Sequence, residues 1–440
     1  MYYTDGKTKR EGYEFMEEAR LYPPYRGVMA VLLVLCASLT HIGFLITAPL
    51  LVFLARDFSV DIATAGYAST VHIFAMGAAM FAGPLLIRRV DIKRTQLLGI
   101  AVMVAGALFC VFAPSFGALL AARVMTGIGH GISGSCTSAI VAAWFPQRER
   151  SLIVTSISLG VVGVTTLVYT ATVPLYYALG GSFRSVFFIL AGVLALTALA
   201  WLLFARNNEL LNAHIRGQDK LRGRRMNLFS DMKDALTRRD VWMVCLFMGL
   251  GTIGANGVST YLPQFLQNAR GYSDVDASAL FGITTGIGAA GTFLGGVATT
   301  ALGRRKIVIL PFLSATTVCI AMSLLWTGRW PIAIFLFLYA FTNNFRTPAS
   351  QTITTELPGA TPTFASSASA MTYGVGFMGT FFASPLLRLG MKWVGEGYAM
   401  FAFVPLFLLS IVFALLTPET GPKRRAARET EFLAPDPSNP

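Results

Sequence analysis

Charge is scarce in this chain, and acid is missing where charge would cost most. Only 13% of the 440 residues are Asp, Glu, Lys or Arg, against 54% hydrophobic ones, and mean hydropathy is +0.61. A water-soluble chain of this length has no interior large enough for so much apolar surface, so a soluble enzyme or binding domain is excluded and lipid is the solvent for most of it. No long apolar segment holds an Asp or Glu in its interior, whereas two of them hold an arginine, Arg123 and Arg346. The missing acids argue against a carboxylate proton relay and against a cationic solute, and the arginines favour a negatively charged one. Cysteine is sparse too. All five (Cys36, Cys110, Cys136, Cys245, Cys319) lie inside apolar segments, away from the loops where a secreted scaffold places its bridges, so free thiols are expected. The first 27 residues are polar and the first apolar run is too long for a signal-peptide core, so that run is expected to stay as a membrane span.

Hydropathy predicts twelve spans: 28–54, 64–87, 96–114, 117–143, 152–176, 184–204, 241–266, 277–301, 306–327, 331–354, 365–387 and 396–417. Most are close to the roughly 20 residues that cross a bilayer as a helix, the conformation that satisfies the backbone within the segment. With the N-terminus inside, inward segments carry 27 of the 35 Lys and Arg residues and outward loops carry 6. That bias places both termini in the cytoplasm of a multi-pass cell-membrane protein, the inner membrane in a bacterium. It also removes nucleic acid as a partner, because the basic clusters sit at span ends facing the anionic leaflet. The expected organisation is a cytoplasmic tail (1–27), a six-helix bundle (28–205), a cytoplasmic linker (206–240), a second six-helix bundle (241–417) and a tail (418–440).

An internal repeat supports the division. After the second span the chain turns at Gly83 into Arg88, Arg89, Asp91, Lys93 and Arg94; after the eighth it turns at Gly303 into Arg304, Arg305 and Lys306. Repeated halves of this kind mark secondary transporters. With these two basic turns and the run Arg123-Val-Met-Thr-Gly127-Ile-Gly129-His-Gly131 in the fourth span, the chain resembles the major facilitator superfamily over all but its tails. The resemblance implies two pseudo-symmetric six-helix bundles, an all-α membrane fold, and gating by the basic turns. It also implies a central cavity lined by spans 1, 4, 7 and 10, alternating access to a small-molecule substrate, no enzymatic chemistry and no cofactor. A monomer in the lipid bilayer is expected. Two departures stand out: Ile87 and Thr300 occupy the places of the acid usual in the first signature, so a gate latched there falls to Asp91. The proline of the span 5 signature of many drug antiporters is missing from Gly160-Val-Val-Gly163.

Within the cavity spans the tenth is the most polar. Asn343, Arg346, Thr347, Ser350, Gln351 and Thr354 share one helical face, and Pro348 should kink the helix there. Arg346, Arg123, Asn343, Thr347, Gln351 and Asn256 are therefore the expected substrate-binding residues, with a guanidinium as a two-pronged donor to a carboxylate or similar oxyanion. Arg123 has a plainer reading as a structural residue on backbone carbonyls. His130 and His41 are the candidates for proton coupling, since imidazole is the side chain with an ordinary pKa near neutrality; packing is the plainer reading of each, and of His72. Neither their number nor their spacing makes a metal site. The expected function is symport or exchange of a small carboxylate-type anion. The alternative is export of neutral or anionic drug-like compounds through an aromatic pocket near Phe377, Phe381 and Phe382. A sensor or intramembrane enzyme lacks, respectively, a signalling domain and a catalytic constellation.

Overall fold

A computed structural model describes residues 24–145, 147–208, 236–357 and 362–421. The expected tails at 1–23 and 422–440 and most of the linker, 209–235, lie outside the described residues. Every described element is helical: α1 (Arg26–Leu45), α2 (Leu51–Asp57), α3 (Ile62–Ala65), α4 (Tyr67–Met80), α5 (Gly83–Val90), α6 (Ile92–Val111), α7 (Phe116–Trp144), α8 (Gln147–Ala178) and α9 (Phe183–Phe204) precede the linker. After it come α10 (Arg239–Arg270), α11 (Asp274–Leu302), α12 (Lys306–Leu325), α13 (Arg329–Phe345), α14 (Thr347–Glu356), α15 (Pro362–Gly379), α16 (Ala383–Val394) and α17 (Val404–Leu416), with 3₁₀ turns at Thr380–Phe382 and Glu396–Phe403. Among the described residues, eight helices are long and apolar enough to cross a membrane: α1, α6, most of α8, α9, α10, α11, α12 and the last 3₁₀ turn with α17. The predicted second, tenth and eleventh spans are each interrupted.

Local chemistry sets many of the ends. Asp61, Asp91, Ser115 and Ser273 cap α3, α6, α7 and α11 by accepting from backbone N–H groups three residues on, the groups a helix start leaves orphaned. Interior prolines (Pro174, Pro263, Pro311) are tolerated within α8, α10 and α12. The α11–α13 contact depends on missing side chains: a Cβ on Gly291 or Gly295 would lie 2.4 Å from the Phe341 carbonyl oxygen or 1.9 Å from that of Phe345. Backbones can meet that closely only over small residues.

The bundle has two distinguishable ends. At one, Phe58 meets Phe116 and Phe183, Arg184 donates to Ala113 O, and Arg270 donates to Trp326 O. At the other, Tyr25 donates to Phe204 O, Trp201 Nε1 to Lys93 O, and Arg26 pairs with Glu149. We call these the distal and proximal ends; the described chain termini belong to the proximal one.

Candidate functional site

Arg123 lies in α7 with no solvent exposure. Its Nε donates to Ala68 O at 2.8 Å, Nη1 to Gly43 O at 2.8 Å, and Nη2 reaches Thr47 Oγ1 at 3.4 Å. The guanidinium thus bridges α7 to α1, α4 and the turn after α1. Carbonyl dipoles inside a membrane protein are otherwise costly to leave unpaired, and this arrangement is the structural one that the sequence left open.

Arg346 sits differently. It is the residue at which the tenth span breaks, between α13 and α14, with the break two residues ahead of Pro348. Proline at 348 supplies no N–H to the carbonyl four residues back. Side chains add bonds to carbonyls on either side of the break: Thr347 Oγ1 donates to Asn343 O at 3.1 Å and Ser350 Oγ to Arg346 O at 3.0 Å. The Arg346 side chain is 8% exposed, gives Nη2 to Asn343 Oδ1 at 2.7 Å, and has a buried Nε without a hydrogen-bond partner. A Cβ on Gly251 of α10 would stand 3.4 Å from Nη2, so glycine there leaves the guanidinium room. No Asp or Glu pairs with this cation among the described residues.

The other expected contacts are dispersed. Asn256 gives its amide to Thr380 Oγ1 at 3.1 Å. Gln351 is exposed, near Tyr373. His130 and His41 pack edge to face with ring centroids 5.6 Å apart in the earlier group of helices. Thus Arg346, Asn343 and Thr347 form one cluster, and Arg123 with the histidines forms another.

The basic turns also differ from each other. Asp91, expected to latch a gate, takes φ +116° and spends its carboxylate on its own helix, accepting from Arg94 N at 2.8 Å and lying 3.5 Å from Arg94 Nε. Gly83 approaches α7 so closely that a Cβ would meet Ser135 Oγ at 1.6 Å. Arg89 and Arg94 are exposed, Lys93 is half-buried, and the Arg88 side chain lies outside the described residues. In the second turn Gly303 ends α11 at φ +65° and Arg304 is exposed. Arg305 is buried: it forms a bidentate pair with Glu356, donates Nη1 to Thr299 O at 2.7 Å, and shares Glu419 with Lys306 through their backbone N–H groups. Lys306 Nζ donates to Leu415 O at 2.7 Å. Glu356 and Glu419 were missed because both lie just past span ends; an acid one turn beyond a polar span, facing a basic turn, is the signal that could have found them.

Polar bridges between the earlier and later helices gather toward the distal end. Arg388 pairs with Asp61 at 3.2 Å and donates to Thr64 Oγ1 at 2.7 Å, Tyr177 donates to Asp274 at 2.6 Å, and Tyr169 donates to Ser259 O at 2.8 Å. Burial raises the Asp61 carboxyl, but the Thr64 side-chain and backbone donors and the Arg388 charge outweigh it and hold it below its ordinary value. Deeper in this seam Tyr261 reaches Ser384 at 2.7 Å under Gly66, where a Cβ would fall 1.8 Å from the tyrosine oxygen. The two proximal ion pairs Arg26–Glu149 and Arg305–Glu356 each stay on one side of the linker.

A family model described as Major Facilitator Superfamily matches residues 33–380, well over half of the chain. The chain belongs to the major facilitator superfamily. Membership of a transporter family supports a non-enzymatic role. An uncharacterized MFS-type transporter, YtbD, of Bacillus subtilis is 29% identical over 265 residues, covering 58% of this chain and 63% of the relative. A Helicobacter pylori protein named as a probable sugar efflux transporter is 22% identical over 82% of this chain and 88% of its own. This chain thus matches somewhat under two thirds of the length of the Bacillus relative. Among solved structures, a bacterial homolog of the human lysosomal transporter Spinster, inward-facing and unoccupied, aligns with TM-score 0.70 at 16% identity over 90% of this chain and 97% of its own. A D-xylose–proton symporter aligns with TM-score 0.69 at 15% identity over 90% and 98%. At these identities the likeness is one of fold.

Proposed function

We propose that this protein is a secondary transporter that moves a small anionic solute of carboxylate type by alternating access, as a symporter or an anion exchanger. The observation that carries the reading is Arg346: a buried guanidinium with a bare Nε, no acidic partner among the described residues, and a position at the break between α13 and α14. A planar oxyanion would take the free edge of the fork, with Asn343 holding the other edge in place. Its charge would neutralise a cation that is otherwise costly to bury, easing closure of the bundle over it.

In this account the chain makes twelve crossings in two six-helix bundles, 28–205 and 241–417, joined by the cytoplasmic linker 206–240. The four crossings beyond the eight long ones are α4 with its flanking short helices, α7, α13–α14, and α15–α16. The protein works as a monomer with both termini in the cytoplasm, so the distal latch of Asp61, Arg388, Tyr177 and Asp274 closes the outward side. Arg123 fixes the shape of the first bundle, and Arg346 with Asn343, Thr347 and Gln351 supplies recognition.

The test is uptake into proteoliposomes preloaded with a panel of mono- and dicarboxylates, with labelled carboxylates outside. The account expects saturable uptake of one anion class, lost in Arg346→Gln and only partly restored in Arg346→Lys. Uptake of a neutral sugar instead, unchanged in Arg346→Gln, would replace this reading with one nearer the name of the Helicobacter relative.

A further inference from the structure

Three of the chain's four histidines meet where α1, α4 and α7 pack together. His130 lies with its ring centroid 5.5 Å from that of His72 and 5.6 Å from that of His41, and the Phe44 ring lies 4.9 Å from His41 and 6.4 Å from His130. The direction of each hydrogen bond follows from one fixed point. The Arg123 main-chain carbonyl can only accept, and Thr126 Oγ1 stands 2.8 Å from it, so the hydroxyl proton points there. The same oxygen is 2.9 Å from His72 Nδ1 and must accept from it, which places the His72 proton on Nδ1 and leaves Nε2 bare. His130 Nδ1, 3.2 Å from that bare nitrogen, must donate to it. His130 Nε2 is then bare in its turn.

We infer that His130 Nε2 is the proton-accepting atom of the first bundle, and that Thr126 and His72 are positioning residues that hold its lone pair there. One proton from water, added to Nε2, makes an imidazolium without breaking a bond of the chain: His130 Nδ1–H still donates to His72 and His72 Nδ1–H still donates to Thr126. The groups facing the site are Arg123 and Thr126 from α7 itself, His41 from α1 and His72 from α4. From α6 come Cys110, near Arg123, and Gln96, whose amide donates to Ser133 at 2.9 Å. The neighbouring α8 carries Glu149 at its proximal start, paired with Arg26. The nearest full charge is therefore the Arg123 cation, which opposes the proton, and an arriving anion would favour it. The use of the site rests on the anionic-solute reading: a charged His130 would give the first bundle a cation to set beside Arg346 of the second.

The test is nitrogen NMR of the full-length protein labelled with ¹⁵N-histidine in detergent micelles, assigned with single His→Gln variants. Protonated and bare ring nitrogens resonate far apart. Near pH 8 both His72 and His130 are expected as Nδ1–H tautomers, and acidification should protonate His130 at Nε2 while the protein stays folded. Thr126→Val should release the His72 tautomer and move the His130 midpoint by at least half a pH unit, and Thr126→Ser should restore both. A native His72 protonated at Nε2 overturns the inference, as does a His130 midpoint indifferent to Thr126→Val or a His130 that stays neutral until the protein unfolds. No solute enters the measurement, so failure of the anionic reading and failure of this one are distinguishable.

Discussion

Replacing each buried arginine by methionine should separate a structural cation from a functional one. Arg123 gives two short hydrogen bonds, 2.8 Å each, to the carbonyls of Ala68 and Gly43. Bonds from a charged donor contribute about 1.5–3 kcal/mol each, so Arg123→Met gives up about 3–6 kcal/mol of bonding, offset in part by the desolvation penalty that removing any buried cation recovers, and should be about 1.5–3 kcal/mol less stable than Arg346→Met. Arg346 has one such bond, to Asn343 at 2.7 Å, and an unpartnered Nε. Losing that bond costs about 1.5–3 kcal/mol, while removing a buried, unmatched cation recovers a desolvation penalty of several kcal/mol. The two terms are of similar size, so Arg346→Met should be as stable as the native protein or more so. The assay is the melting temperature of detergent-purified protein by tryptophan fluorescence, with monodispersity as a check. Arg123→Lys should recover only part of the loss, because one ammonium cannot reproduce a planar fork spanning two helices. Equal destabilisation by Arg123→Met and Arg346→Met would refute the distinction.

Three further outcomes follow from the same contacts. Glu356→Gln leaves Arg305, 8% exposed, without its carboxylate, and should lower stability by about 3 kcal/mol, measured as a fall in melting temperature that Arg304→Gln, at an exposed neighbour, does not show. Gly66→Ala drives a Cβ to 1.8 Å from the Tyr261 oxygen and 2.4 Å from its Cζ, so it should loosen the distal seam and speed maleimide labelling of a Thr70→Cys reporter; Tyr261→Phe should not relieve it, whereas Tyr261→Ala should. The Asp61 carboxyl is held below its ordinary value, so the stability it lends is present above the unfolded pKa of about 4 and is lost as pH falls through the folded value. Because Asp61 and Arg388 are 61% and 57% exposed, Asp61→Asn should move the melting temperature little at pH 7, and the small native–mutant difference should begin to shrink below about pH 4 and vanish only below the lower folded value.

Helical membrane architecture was legible because lipid permits few alternatives: long apolar runs with basic ends can be little else. Pro348 likewise announced the break in the tenth span, and Arg346 was identifiable as a cation without an acid nearby in sequence. What sequence could not show was the destination of each donor. Arg123 and Arg346 are the same residue type in similar surroundings, yet one is held by carbonyls of α1 and α4, groups that every residue carries and no pattern distinguishes. Asp91 was expected as a latch and instead caps its own helix at positive φ, a local use that charge counting overlooks. The single polar stripe predicted for the tenth span ends up with Arg346, Ser350 and Thr354 buried and Gln351 exposed, because the buried three recur every four residues while Gln351 stands about 100° round the helix from Ser350. The histidine chain depends on helix packing that brings residue 72 to residue 130, a pairing absent from any local motif.

The most direct measurement of the anion-binding claim is thermal stabilisation of the native protein and of Arg346→Gln by a panel of monocarboxylates, dicarboxylates, inorganic anions, neutral sugars and lipophilic drugs. A ligand that binds only the folded state at a hundredfold excess over its Kd adds about 2.7 kcal/mol. The account predicts that one anion class raises the melting temperature of the native protein and that Arg346→Gln loses the response. Stabilisation by neutral or apolar compounds, equal in the two proteins, would contradict it.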